Sequence, residues 1–173
     1  MDVFECMLTR RSVKSYQSTP VAKELIEKIV EAGTYAPTGR NAQAPIILAV
    51  SNKAVRDELS KINAKILGAP EGSDPFYNAP VVLVVLAAKE RNTRVYDGSS
   101  VMQNLQLAAH ALGLGACWIH RAKETFEMPE WQEWLKTLGI DEEYEGIGNC
   151  VIGYPEVTPS VKPRKENWVY YID

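Results

Sequence analysis

Histidine is nearly absent from this chain: His110 and His120 are its only two. Neither stands in a Ser/His/Asp or Cys/His arrangement, and no HExxH or CxxC occurs, so neither triad hydrolysis nor zinc chemistry is supported, and no metal is expected. Cysteine is scarce as well. Cys6, Cys117 and Cys150 are odd in number and far apart, without metal or redox spacing, which suits a reducing compartment. No block of like charge exists and the formal net charge is -3, which argues against a polyanion-binding tail. The opening MDVFECMLTRRS lacks the apolar core of a secretory signal, so a cytoplasmic location is expected. There is no internal repeat and no low-complexity segment. Charge itself is missing from Gly98 to His120, but Ser99, Ser100, Gln103, Asn104, Gln106 and His110 make this run too polar for a bilayer span. It reads instead as a helix buried on nearly all sides, which in so small a protein implies cover from a second subunit.

What is present describes one globular domain, residues 1–173, with 46% hydrophobic and 24% charged residues. Val3, Phe4, Met7 and Leu8 predict a short helix over 2–9, and Leu25, Ile26, Ile29 and Val30 predict another ending near Gly33. Residues 36–45 are a loop by composition, 46–50 a strand and 54–67 a helix. The Gly/Pro/Ser/Asp-rich stretch 68–80 is long enough for a lid. Residues 81–86 are the strongest strand, continuous and β-branched, hence central. A helix over 99–112, a strand over 116–119, a helix carrying Trp131, Trp134, Leu135 and Leu138, a strand over 148–154 and a terminal strand over 168–172 complete the prediction. The order is not regular βαβ. The fold class expected is α+β, a mixed and mainly antiparallel sheet between helices.

Four motifs carry chemistry. Arg10-Arg11-Ser12-Val13-Lys14 lies near the start and Lys162-Pro163-Arg164-Lys165 near the end, the latter seven residues beyond Gly153-Tyr154-Pro155. Each basic cluster suits one dianionic phosphate better than a nucleic-acid backbone, and together they form a clamp if the fold joins the termini. A solvated basic turn is the alternative for the first. The loop Ala36 to Pro45 contains Pro37, Thr38, Gly39, Asn41 and Gln43. Its side-chain amides offer donor and acceptor side by side, as the edge of a pyrimidine-like ring requires, although a plain helix-to-strand connection is also consistent. Gly113-Leu114-Gly115-Ala116-Cys117-Trp118-Ile119 lets backbone approach a flat ligand or another backbone. It does not match GxGxxG, which removes a dinucleotide-binding fold. Cys117 is read as a small core residue and His110 as a satisfied histidine.

In this order and spacing the four motifs resemble the nitroreductase family of FMN-dependent oxidoreductases, over almost the whole chain. The resemblance implies an intertwined homodimer with FMN at the subunit interface. By it, Arg10, Arg11 and Ser12 match the phosphate-binding start, and Lys14 the residue beside the flavin's pyrimidine side. Pro37, Thr38, Asn41 and Gln43 match the loop that approaches the flavin, often from the other subunit. Ala116, Cys117, Trp118 and Ile119 match the segment along the flavin's edge, and Arg164 and Lys165 the C-terminal phosphate contacts. It further implies NAD(P)H-driven reduction of nitroaromatic, quinone or similar acceptors by ping-pong hydride transfer through flavin N5, with Lys14 as electrostatic support and no other catalytic side chain. The competing expectations are a flavin store or sensor without turnover, and a different reaction on the same fold: dehydrogenation, flavin fragmentation or dehalogenation.

Overall fold

The computed structural model describes residues 1–173. Its elements are α1 (Val3–Thr9), α2 (Lys23–Thr34), β1 (Pro45–Val50), α3 (Lys53–Leu67), β2 (Val81–Ala88), α4 (Arg94–Ala111), β3 (Gly115–Ile119), α5 (Ala122–Phe126), α6 (Pro129–Thr137) and β4 (Tyr144–Gly153). The strands pair in the order β1-β2-β4-β3, all antiparallel. A parallel element enters only at the edge, where Ser12 bridges Ala116.

All eight residues of β2 are buried, because the strand lies inside the sheet and is covered on both faces. Val82, Val84 and Leu86 point toward α3, α5 and α6, where they meet Leu59, Phe126 and Leu135. Val81, Leu83 and Val85 point the other way, toward Ile29 of α2 and Met102 and Leu105 of α4. The period of two along β2 therefore feeds two cores, one on each side of the sheet. Local signals set the ends of α3: the Asn52 side chain accepts from the Val55 N–H at 3.2 Å, and Gly68 closes the helix in the left-handed conformation.

Two expectations are corrected. Helix α4 begins at Arg94, five residues earlier than predicted, because Asp97 organises its first turn: the Thr93 hydroxyl donates to its carboxylate at 2.8 Å. Within α4 the uncharged run leaves Gln103 and Ala111 exposed in a single chain. The terminal strand does not form. Trp168–Ile172 are exposed and pair with no strand of their own chain. The apolar stripe of α1 is likewise outward, with Phe4 74% and Leu8 72% exposed, and Cys6 is its one buried residue.

The 68–80 stretch is less free than a lid. The Asp74 carboxylate accepts from Arg56 Nη2 at 2.6 Å, from the Ser60 hydroxyl, and from the Phe76 and Asn78 N–H groups at 2.9 and 2.7 Å. Phe76 is inserted into the core beside it. Only the exposed tip around Glu71 and Gly72 lacks such anchorage.

Candidate functional site

The two basic clusters meet because the N-terminal segment is stitched to the sheet's edge. Val13 N–H donates to the Ala116 carbonyl at 3.0 Å, where the segment runs beside β3. It then turns to pair with the end of β4: Gln17 N–H donates to the Tyr154 carbonyl at 2.9 Å and Glu156 N–H to the Ser15 carbonyl at 3.1 Å. The Tyr16 hydroxyl, buried, closes the turn on the Val13 carbonyl at 2.9 Å, and its burial pushes the phenol far above its ordinary value. Gly115 is needed for this join. A Cβ there would lie 2.6 Å from Val13. The expected close approach at this glycine is thus used by the chain itself.

The outcome is a cavity of about 520 Å³ lined by Arg11, Ser12, Lys14 and Ser15 from one end of the chain and by Lys162 and Arg164 from the other. Four cations face it and no carboxylate does. None of the four is in a salt bridge. Arg11 donates through Nη1 to the Leu8 and Arg10 carbonyls at 2.7 Å, while its Nε is buried and unpartnered. A buried guanidinium nitrogen with nothing to donate to fits a site shaped for an anion. Arg10 points elsewhere, donating to Gln106 Oε1 at 3.2 Å, and lines an adjoining cavity with Arg11 and His110. Lys165 is exposed and lines neither. His110 is satisfied by Thr9, its Nε2 2.8 Å from the hydroxyl. Burial, then the Arg10 and Arg11 charges, lowers its pKa.

Lys14 alone also lines a second cavity, of about 360 Å³, with Cys117, Trp118, Ile119, His120 and Arg121 and the segment from Leu67 to Tyr77. Burial pushes the Cys117 thiol up, against the opposing pull of Ser12, Lys14 and Arg10, so the protonated, packed form predominates. Trp118 turns to the other side of the sheet, where its indole nitrogen lies against Gly148, buried and unpartnered. Arg121, which also lines this cavity, was not named from the sequence; its signal was position, directly after β3.

The amide loop is not part of this constellation within one chain. Pro37, Thr38, Asn41 and Gln43 lead into β1, whereas Ala116–Ile119 form β3, and these strands are opposite edges of the sheet. The loop is fixed where it is: Gly39 N–H donates to Asp97 at 2.9 Å, Gln43 N–H to the Thr38 hydroxyl at 3.0 Å. Asn41 and Gln43 are exposed, both with positive φ.

An antiparallel sheet with helices on both faces, and a cationic cavity joining the chain's two ends at the sheet's edge, define an α+β fold with an anion-suited site rather than a dinucleotide-binding fold. Residues 7–154 match the Nitroreductase family, and the chain belongs to it. It is 30% identical over 167 residues to a candidate NADH dehydrogenase/NAD(P)H nitroreductase of Methanothermobacter thermautotrophicus, covering 94% of this chain and 82% of that protein. It is 26% identical over 172 residues to the NADPH-flavin oxidoreductase of Vibrio harveyi, covering 94% of this chain and 70% of the relative. Among solved structures, a nitroreductase with bound FMN from Bacteroides fragilis superposes with a TM-score of 0.90 at 26% identity, covering 100% of both chains.

Proposed function

We propose that the chain is an FMN-dependent oxidoreductase that takes electrons from NAD(P)H and passes them to nitroaromatic, quinone or similar small acceptors. The observation that carries this reading is the cavity in which Arg11, Lys14, Lys162 and Arg164 converge without a neutralising carboxylate. The FMN found in the Bacteroides fragilis structure has the phosphate such a cavity suits. Arg11, Ser12, Lys162 and Arg164 would hold that phosphate through charge-assisted hydrogen bonds. Lys14, shared with the second cavity, would stand at the ring's edge and stabilise negative charge there. The Ala116–Ile119 backbone would flank the same edge.

FMN, when bound, supplies hydride transfer, and the protein supplies position and electrostatics. The separation of the amide loop from β3 supports a homodimer, because a ring lying along β3 can meet Pro37, Thr38, Asn41 and Gln43 only if a second copy brings them. The exposed apolar residues Phe4, Leu8, Tyr96, Trp168 and Ile172 support the same assembly. With no nucleotide-binding fold of its own, the chain would take reductant and acceptor in turn at one place.

The test is anaerobic. NADH or NADPH should bleach the yellow protein, and a nitro or quinone acceptor should restore the colour. A protein that holds FMN but is bleached by neither nucleotide would be a flavin store instead.

A further inference from the structure

Two buried asparagines serve one peptide bond. Asn63 of α3 and Asn149 of β4 are 1% and 2% exposed. Asn63 Nδ2 donates to the His120 carbonyl at 2.8 Å, and Asn149 Nδ2 donates to the same oxygen at 3.2 Å. Both lone pairs of that oxygen are thereby filled. Asn63 also accepts from Arg121 Nε through its Oδ1 at 2.9 Å, so it holds the peptide and the side chain that follows. One residue on, the Arg121 carbonyl accepts from the Thr125 N–H at 3.1 Å and from its hydroxyl at 2.8 Å. Burying two side-chain amides is costly unless they are hydrogen-bonded, and leucine would fill the same space without that requirement. The asparagines fix an orientation rather than fill a core.

The peptide is trans, so its N–H points opposite to its carbonyl. With the carbonyl held in the core, the Arg121 N–H faces outward, on the side where His120 and Arg121 line the cavity of about 360 Å³. It donates to no group of the chain. Arg121 holds this position at φ 75°, the left-handed region that a non-glycine residue enters at a cost. Such strain persists where the surroundings over-determine it, as the two asparagines and Thr125 do here.

We infer that Asn63 and Asn149 are positioning residues of the flavin site: they hold the His120–Arg121 peptide with its N–H toward the ring and its carbonyl away from it, and so favour the reduced cofactor. The inference rests on the flavin reading for its statement that a ring lies in this cavity. A fixed N–H dipole aimed at a ring that gains electrons stabilises the reduced form more than the oxidised one, with no reorganisation at that moment. A released peptide can turn over and present its carbonyl oxygen, which reverses the sign. Neither asparagine lines the cavity, so each acts through the peptide alone.

The midpoint potential of bound FMN is measured by equilibration with a reference dye, in the parent, in Asn63→Leu, in Asn149→Leu and in the double variant. In the double variant the ratio of reduced to oxidised FMN affinity should fall at least tenfold, a drop of about 30 mV for a two-electron couple, with each single variant in between. Leu135→Ala, in the core and away from the cavity, should lower the melting temperature and leave the potential where it is, which separates loss of aim from loss of stability. Amide hydrogen exchange gives a reading independent of turnover: FMN should protect the Arg121 N–H in the parent and not in the double variant. A potential unchanged in the double variant, or an Arg121 amide that FMN does not protect in the parent, would overturn the inference. So would a shift of the same size in Leu135→Ala. If the leucine variants do not fold, Asn63→Ala and Asn149→Ala carry the same expectations and the same power to overturn. A protein that binds no FMN refutes the flavin reading itself, whereas a yellow protein, bleached by NAD(P)H, whose potential ignores both asparagines refutes this inference alone.

Discussion

Asp74 shows how much one side chain can organise. It ties α3 to the segment before β2 and neutralises Arg56, whose guanidinium is buried and also donates to the Ala79 carbonyl at 2.9 Å. Burial raises the Asp74 carboxyl's pKa, but hydrogen bonds from Arg56, Ser60 and the Asn78 N–H outweigh it and hold the group below its ordinary value. Its folded value being depressed, its contribution to stability is present above the ordinary carboxylate value of about 3.9 and is lost as pH falls through the lower folded value. Asp74→Asn leaves buried Arg56 with Asp57 alone, 3.2 Å from its Nη1, so the cost should fall below the about 3–5 kcal/mol of a buried pair broken outright. Thermal melts should show a drop in Tm and a shallower fall in stability on the acid side; a melt within a degree of the parent would contradict the network's role. His110 offers a second residue-scale check. Its folded value lies below the ordinary value of about 6.5, so the protein loses stability as pH falls from there. An anion beside Arg11 offsets the charges that help depress it. In NMR titration, bound FMN should therefore raise the His110 pKa, and no change would separate this histidine from the phosphate site.

At the scale of elements, what was legible in the sequence was what a segment decides locally. The continuous β-branched run became β2, and the helix expected over 99–112 lay within or just beyond α4. Pairing that joins distant segments was not legible. No periodicity announces that residues 12–17 would be stitched to β3 and then to the end of β4, although this brings Arg11 and Arg164 to one cavity. Nor does an apolar stripe declare which molecule covers it: α1 has the stripe expected of a core helix and turns it outward. Arg11, Ser12, Lys14 and Arg164, named from sequence by chemical type, line one cavity, whereas Arg121 was not named, because Asn63 and Asn149 reach its elbow from other elements. The stitch itself is testable. Gly115→Val places bulk where Val13 already sits and should cost about 1–3 kcal/mol by overpacking, with loss of FMN. The added change Val13→Ala should restore part of both. If Gly115→Val keeps stability and FMN affinity, the join of N-terminus to sheet does not shape the cavity.

At the scale of the whole molecule, one chain leaves too much apolar surface open. Phe4 and Leu8 on α1, Tyr96 on α4, and Trp168 to Ile172 at the C-terminal end are all exposed, the last at 95%. Obligate interfaces commonly bury more than about 2,000 Å² and are apolar. The protein should sediment as a dimer at nanomolar concentration. Removing residues 166–173 should yield a monomer with weakened FMN binding; a truncated protein that stays dimeric would assign the interface to α1 and α4 alone. The central claim, that both ends of one chain grip a single flavin phosphate, has a direct measurement. Apoprotein is titrated with FMN and with riboflavin, parent against Arg164→Ala, by quenching of flavin fluorescence. Charge-assisted hydrogen bonds are worth about 1.5–3 kcal/mol, so FMN affinity should fall roughly tenfold to a hundredfold in the variant while riboflavin affinity stays where it was. Equal losses for FMN and riboflavin, or no loss for either, would contradict it.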